Sequence, residues 1–170
     1  GLVTQRDLVR NSLRMRPDRV VIGEVRGEEA LDMLQAMNTG HDGSLTTVHA
    51  NSTRDALGRI ETMVLMSTKN MMPAVINRQI ASAINVVVYA RRFPDGVRRV
   101  ESISEIVGME GDIITMQDIA TFVQKGMSSD GRCIGNFEIN GTKPRFLEHA
   151  RAMGITIPTA SNGAAAKKPH

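Results

Sequence analysis

The 170-residue chain is long enough for one domain with a hydrophobic core. Hydrophobic residues make up 41% and charged residues 23% of the sequence, a balance that excludes a disordered chain. The formal net charge of +3 permits an acidic partner without requiring one. With Cys133 as the single cysteine, the sequence has neither a disulfide framework nor a thiolate metal cluster. No apolar run approaches the roughly 20 residues of a transmembrane helix. We therefore expect a cytoplasmic protein.

Helical signals recur along the first half of the chain. Thr4, with Asp7 three residues later, has the spacing of a capping box, and Pro17 predicts the end of the helix that follows. Apolar residues at helical spacing predict further helices, with Thr53 as the cap of one of them. The predicted helices after the first one span 28–37, 54–67 and 73–83.

Short apolar, β-branched runs predict strands between and after these helices. The predicted strands span 19–22, 44–48, 84–90, 97–105 and 113–116. The first of them does not alternate, which is typical of a parallel strand buried on both faces. The turn at 94–96 predicts an antiparallel hairpin. The order of these predicted helices and strands predicts an α/β sheet with an antiparallel extension.

The chain is predicted to divide into three parts. Residues 1–125 form the α/β domain, and 126–158 form a small carboxy-terminal appendage of extended chain and a helix that starts near Pro144. Residues 159–170 are small or carry Lys and Pro, a composition that predicts a disordered tail.

Glu24 lies just past the carboxyl end of the predicted strand 19–22. Ligands of open α/β sheets bind at this edge. A carboxylate there can orient an attacking water or hold the waters of a bound Mg²⁺. The alternative is a solvated glutamate at a strand end.

His49 follows the predicted strand 44–48 as Glu24 follows its own strand, and Gly40 and Gly43 allow a tight turn before that strand. If the two strands are parallel neighbours, Glu24 and His49 emerge at the same edge of the sheet. A histidine there can donate a hydrogen bond to a terminal phosphate oxygen. Taken singly, His49 is better explained as a strand-end residue and His41 as a core histidine.

Other kinds of functional site fit the sequence less well. Two histidines, one aspartate and a distant cysteine do not form a closed zinc ligand set. No Ser or Cys lies in a nucleophile elbow. Arg6, Arg10 and Arg14 share one helix face. Together with Arg16 they could meet phosphates across a subunit interface, although such a stripe is more often simply solvated.

At these motifs the chain resembles a known family. Residues 14–27 resemble the Walker B segment of type II/type IV secretion ATPases, and 40–51 resemble their histidine box. The segment 28–40 is similar to the CpaF-type motors of tight-adherence (Flp) pili. The similarity runs from residue 4 to about 122 and more loosely to 158. It implies part of a RecA-like P-loop NTPase core, the half with Walker B and the histidine box.

The resemblance implies a homohexameric ring that binds ATP and Mg²⁺ between subunits at the cytoplasmic face of the inner membrane. Its hydrolysis would drive pilus assembly or protein export, with inner-membrane platform proteins as partners and no nucleic acid. Glu24 matches the Walker B glutamate, which activates water and supports Mg²⁺, and His49 matches the box histidine near the γ-phosphate. Four further residues match nucleotide-binding positions: Gly23, Arg26, His41 and Thr47.

One departure from the family is large. The 170 residues contain no GxxxxGK[ST] phosphate-binding loop. We expect that loop, an acidic box and amino-terminal arginines to lie upstream of Gly1, as at a cut edge, and we expect the chain alone to be inactive. Two alternatives remain: a non-enzymatic fragment that binds motor subunits, and a conjugation-type secretion ATPase.

Overall fold

The computed structural model describes residues 2–68, 70–141 and 143–157. The helices are α1 (Gln5–Arg14), α2 (Glu29–Asn38), α3 (Thr53–Ser67), α4 (Pro73–Ala83) and α5 (Phe146–Ala152). The strands are β1 (Val21–Ile22), β2 (Leu45–Thr46), β3 (Val86–Arg92), β4 (Arg98–Glu110), β5 (Ile113–Met127) and β6 (Cys133–Ile139). The predicted α/β class with an antiparallel extension is confirmed. The tail predicted at 159–170 lies outside the described residues.

Local capping signals explain where the helices begin. Thr4 Oγ1 accepts a hydrogen bond from the Asp7 amide at 3.1 Å, and the Asp7 carboxylate accepts one from the Thr4 amide at 3.0 Å, so the predicted capping box is present. The predicted cap of α3 is wrong by one residue, because Ser52, not Thr53, accepts from the Asp55 amide. Helix α4 matches its predicted bounds. None of the described helices is long and apolar enough to cross a bilayer.

Strands β1 and β2 are parallel neighbours, with Val21 opposite Leu45 and Ile22 opposite Thr46. Both are two residues long and therefore shorter than predicted. Ile22 is buried, whereas Val21 is 72% exposed, so the prediction of a strand buried on both faces is wrong for the described chain. The physical reason is that the core cluster which buries Ile22 covers one face of this sheet.

The other four strands form an antiparallel sheet in the order β3-β4-β5-β6. The predicted hairpin joins β3 to β4, with Gly96 at a φ of 79°. Strands β4 and β5 run well beyond their predicted ends, because residues 102–110 of β4 pair with 113–121 of β5 and the rest of β5 pairs with β6. The domain boundary predicted at residue 126 falls within β5. Strand β6 pairs with β5 in the same sheet, from Ala120 opposite Ile139 to Met127 opposite Cys133. The division into units stays a prediction.

A cluster of buried aliphatic and methionine side chains joins helices α1 to α4 to both sheets. Ile22 enters it from β1, Met33 and Leu34 from α2, and Ile106 from β4. This cluster packs against the inner face of β1 and fixes the direction in which the chain leaves that strand. The carboxyl ends of β1 and β2 are thereby held side by side at one edge of the molecule.

Candidate functional site

Glu24 stands two residues beyond β1, on a loop that the core holds in place. Val25, the next residue, is buried in the main hydrophobic cluster. Because adjacent side chains of extended chain point to opposite sides, burial of Val25 turns Glu24 outward. The Glu24 side chain is 21% exposed. A carboxylate is therefore presented at the sheet edge while its backbone is anchored.

Glu24 and His49 meet across that edge. His49 Nε2 lies 3.0 Å from Glu24 Oε1, within hydrogen-bonding distance. The parallel pairing of β1 and β2 brings both chain exits to the same side, as the sequence predicted. The imidazole is 86% exposed and reaches the carboxylate from solvent.

Arg26 contacts the second oxygen of the same carboxylate. Its Nε donates to Glu24 Oε2 at 2.6 Å, and its terminal nitrogen Nη2 contacts the same atom. This hydrogen bond is the main reason that the pKa of Glu24 lies below its ordinary value, with smaller contributions from the charges of Arg26 and His49. The same bond raises the pKa of Arg26. Both oxygens of an ionised carboxylate are thus engaged by side chains that solvent reaches.

The backbone around Glu24 is fixed by residues of two other segments. Thr47 Oγ1 donates to the Gly23 carbonyl at 2.6 Å, and the Val25 amide donates to the Thr47 carbonyl at 3.0 Å. The Gln5 side-chain amide of α1 donates to the Glu24 carbonyl. The loop that carries the carboxylate is therefore tied to the end of β2 and to α1.

The next part of the loop is held by Glu29, a buried residue in the first turn of α2. Its Oε1 accepts from the amides of Arg26 at 2.7 Å and Gly27 at 3.1 Å. Two otherwise orphaned amides ahead of the helix are satisfied in this way. The turn that aims Arg26 at Glu24 is consequently well defined.

A depression of about 550 Å³ opens beside this pair. Its lining joins the loop after β1, the segment after β2 and one face of α3, and consists of Glu24, Val25, Arg26, Val48, His49, Arg59, Thr62, Met63 and Met66. Arg59, Thr62 and Met66 recur at helical spacing on α3. The depression therefore combines one carboxylate with two guanidinium groups and an imidazole.

A family model, Type II/IV secretion system protein, matches residues 1–129 of the chain. The match covers more than half of the sequence, including every residue of the depression. The chain belongs to the type II/IV secretion system protein family. The predicted membership of the secretion ATPase superfamily is thereby confirmed at this level.

Two relatives of this family member carry names that refer to conjugal transfer. A Mycobacterium tuberculosis protein whose name refers to conjugal transfer is 39% identical over 135 residues, which cover 79% of this chain and 37% of that protein. The conjugal transfer protein TrbB of Rhizobium radiobacter is 39% identical over 104 residues, 61% of this chain and 30% of TrbB. The chain thus spans about a third of the length of these relatives.

The fold of the family member is also found in a solved structure. It resembles the crystal structure of the VirB11 ATPase from the Brucella suis type IV secretion system in complex with sulphate, with a TM-score of 0.56 and 33% identity. The similarity covers 59% of this chain and 31% of that chain. The mixed fold is therefore that of part of a secretion ATPase. The resemblance to CpaF-type pilus motors stays a prediction.

Within this family framework, the predicted nucleotide-binding residues separate into two groups. Gly23, Arg26 and Thr47 lie at the carboxyl edge with Glu24 and His49. His41 precedes β2, at the opposite edge of the sheet, where its Nδ1 lies 2.8 Å from the Pro17 carbonyl oxygen. The described chain does not bring His41 together with the Glu24–His49 pair.

Two residues of the depression escaped the sequence analysis. Arg59 and Thr62 were not singled out, because a helix face becomes part of a site only when its packing against the sheet is known. A signal was nevertheless present in the sequence. Arg59 and Thr62 are next to the buried positions Ile60 and Met63 of α3, and α3 is the helix that follows His49 in the chain.

The residues at this edge fit Mg²⁺ only in an indirect role. Among the described residues, no group of three or more His, Cys, Asp or Glu side chains could hold a metal ion. Glu24 is one ionised, accessible carboxylate. Mg²⁺ keeps several waters and is commonly bound by one or two carboxylates together with substrate phosphates. A single carboxylate therefore suits a water-mediated contact to Mg²⁺ that arrives with a nucleotide.

Proposed function

We propose that this chain is the carboxy-terminal portion of a secretion-system motor that hydrolyses ATP, with Glu24 as the group that activates water. The contact between Glu24 and His49, at the shared carboxyl edge of two parallel strands, is the observation that carries this proposal. Ligands of α/β sheets bind at this edge. The family and the similarity to the VirB11 ATPase support the same reaction.

The chemistry follows from the charges around the carboxylate. Glu24 is ionised, and its carboxylate can hold a water and accept its proton as that water attacks the terminal phosphate. The bond from Arg26 lowers the pKa of Glu24 and so weakens it as a base until Arg26 turns away. Mg²⁺, when bound with ATP, neutralises charge that develops on the phosphates. Arg26 and Arg59 add positive charge to the depression, which suits a polyanion, and His49 adds an imidazole.

A local rearrangement must precede this step, since both oxygens of Glu24 are occupied by side chains. His49 and Arg26 are 86% and 75% exposed, so either can turn away without disturbing the core. An imidazole N–H released from Glu24 can donate to a phosphate oxygen instead. The carboxylate is then free to bind water.

The complete motor is proposed to be a homohexamer at the cytoplasmic face of the inner membrane, in contact with platform proteins. The segment 28–40 indicates a tight-adherence pilus, whereas the names of the relatives favour a conjugation or type IV secretion system as a second candidate. The 170 residues supply no GxxxxGK[ST] loop to cradle phosphates. We therefore expect the chain by itself not to hydrolyse ATP.

The test uses a complete motor that contains this sequence. Replacing Glu24 by Gln keeps the shape of the side chain and removes its charge. Turnover should fall by roughly 100-fold or more while ATP still binds. Glu110→Gln, at the exposed last residue of β4, is the matched control and should leave the rate unchanged. A normal rate in the Glu24→Gln motor would rule the proposed function out.

A further inference from the structure

Thr47 holds the backbone on both sides of Glu24. Its hydroxyl donates to the carbonyl of Gly23, the residue before Glu24, at 2.6 Å. Its carbonyl accepts from the amide of Val25, the residue after Glu24, at 3.0 Å. One residue therefore bonds to both neighbours of the carboxylate-bearing residue. Thr47 also lies two positions before His49, so it joins the two halves of the candidate site.

The two bonds differ in what a mutation can remove. The carbonyl bond is made by the main chain and persists whatever side chain stands at position 47. The hydroxyl bond depends on Ser or Thr. Without it, the Gly23 carbonyl of the exposed loop turns to water, and the Glu24 loop keeps its bonds from Gln5 and Val25. The loop would remain folded but would be held less firmly at Gly23.

Loss of the Thr47 hydroxyl bond should cost little stability. Thr47 is exposed, and solvent replaces lost hydrogen bonds at exposed sites at little cost. Glu24, in contrast, must aim its carboxylate at one water. A misplacement of about 1 Å can cost on the order of 100-fold in rate.

We propose that Thr47 is a positioning residue that acts on catalysis through Glu24. Its hydroxyl fixes the Gly23 carbonyl and thereby the orientation of the Glu24 carboxylate, without contact to the nucleotide. The inference rests on the proposed function, because it requires Glu24 to act on the attacking water. It gives Thr47 a different task from direct nucleotide binding, the role that its motif position implies.

Two substitutions in the complete motor isolate the hydroxyl. Thr47→Val keeps the shape and removes the hydrogen bond, whereas Thr47→Ser keeps the bond. We expect kcat to fall roughly 10- to 100-fold in Thr47→Val, with the KM for ATP and the melting temperature unchanged, and Thr47→Ser to recover most of the rate. Thr39→Val is the matched control, since the Thr39 hydroxyl also donates to a backbone carbonyl, that of Gln35 at 2.8 Å, but at the end of α2.

A double mutant shows whether Thr47 acts through Glu24. If it does, Thr47→Val should cause no further loss in a Glu24→Gln background, because the group it positions is already gone. Equal losses in both backgrounds would overturn the inference, as would a normal kcat in Thr47→Val or a raised KM with kcat intact. A lowered melting temperature that accounts for the lost rate would also overturn it.

The two proposals fail in different ways. If Glu24→Gln loses turnover while Thr47→Val does not, the proposed function stands and the role of Thr47 is wrong. If Glu24→Gln keeps its turnover, both are wrong.

Discussion

The carboxylate of Asp32 on α2 binds Arg6 on α1, with Asp32 Oδ2 accepting from Arg6 Nε at 2.7 Å. Its other oxygen accepts from Arg10 Nε at 2.8 Å. Asp32 is buried, and the bond to it raises the pKa of Arg6. The arginine face of α1 was predicted to be either solvated or a phosphate contact across subunits. In the described chain, Arg6 and Arg10 instead fasten α1 to α2.

Asp32→Ala should therefore destabilise the chain. It removes two charge-assisted hydrogen bonds that join α1 to the core, and the arginines left behind can still be hydrated. We expect the free energy of unfolding to fall by about 2 kcal/mol, measured by urea denaturation. Asp112→Ala is the control: Asp112 faces Arg78 at 3.9 Å with both side chains exposed, and such pairs contribute less than about 1 kcal/mol. Equal losses in the two variants would contradict the role of Asp32.

A second carboxylate, Asp95 in the β3–β4 turn, predicts a pH dependence. It accepts from Arg99 Nη1 and Nη2 at 2.8 and 2.7 Å and from the amides of Val97 and Cys133. The bond from Arg99 is the main reason that its pKa is held well below the ordinary range. Because the pKa is lower in the folded state, the stabilisation is present above the ordinary pKa of about 3.9 and is lost as the pH falls further.

The prediction compares Asp95→Asn with the parent chain. The parent should melt at a higher temperature at pH 7 and pH 5, and the difference should shrink progressively below about pH 4. Asp130→Asn, at an exposed aspartate in the β5–β6 turn, should change the melting temperature little. A difference for Asp95→Asn that grows as the pH falls would have the wrong sign and would contradict this account.

Gly23 provides a test of how closely a ligand approaches the loop. A Cβ added at Gly23 would meet no atom within 4 Å, and its φ is not positive. Gly23→Ala should therefore change the free energy of unfolding by no more than about 0.5 kcal/mol. In the complete motor it should weaken ATP binding, measured by titration with a fluorescent analogue, because the methyl group enters the space beside Glu24. Gly126→Ala, which also meets no atom within 4 Å, is the control. Unchanged affinity would show that the nucleotide stays away from Gly23.

Features of the fold could be predicted from the sequence where they depend on residues nearby in the chain. The start of α1 and both ends of α4 follow from nearby residues such as Thr4 and Pro73, and these predictions are confirmed. Strand lengths depend on partners that lie far away in the sequence. For this reason β5 is longer than predicted, since it pairs with β6. Strand β1 is shorter than predicted in the described chain.

The candidate site shows the same limit. Glu24 and His49 could be predicted to meet, because each follows a strand and parallel strands share an edge. The hydrogen bonds of Thr47 and Glu29 could not, since they depend on the path of a loop after its strand has ended. His41 lies in the same motif as His49 but at the other end of β2, a distinction that the motif itself does not make.

The uncovered face of the parallel sheet predicts self-association of the isolated chain. Val21 and Leu45 lie opposite each other on it and are 72% and 63% exposed. Adjacent exposed apolar residues at a sheet favour association with other chains. Sedimentation velocity should show oligomers that increase with concentration and decrease in a Val21→Thr/Leu45→Thr variant. Ile113→Thr/Met153→Thr, with similar exposure on other elements, should not have this effect. A monomer at all concentrations would contradict the prediction.

His49 offers the sharpest separation between a catalytic and a structural role. The side chain is 86% exposed and its Nε2 contacts Glu24 Oε1 at 3.0 Å. If His49 were an ordinary surface residue, His49→Ala would change the free energy of unfolding by less than about 0.5 kcal/mol and would leave turnover normal. If it senses the terminal phosphate, the same variant should keep its stability but lose turnover.

In the complete motor, we expect His49→Ala to lower kcat and also the Hill coefficient for ATP, because a residue that reports the phosphate to its neighbours couples the subunits. ATP hydrolysis as a function of ATP concentration measures both quantities, and thermal melting checks the fold. His149→Ala is the matched control, since His149 is an exposed histidine on α5 that does not line the depression. A reduced rate with the Hill coefficient unchanged would leave His49 with a local role beside Glu24. A normal rate together with normal melting would show that the Glu24–His49 contact takes no part in the reaction.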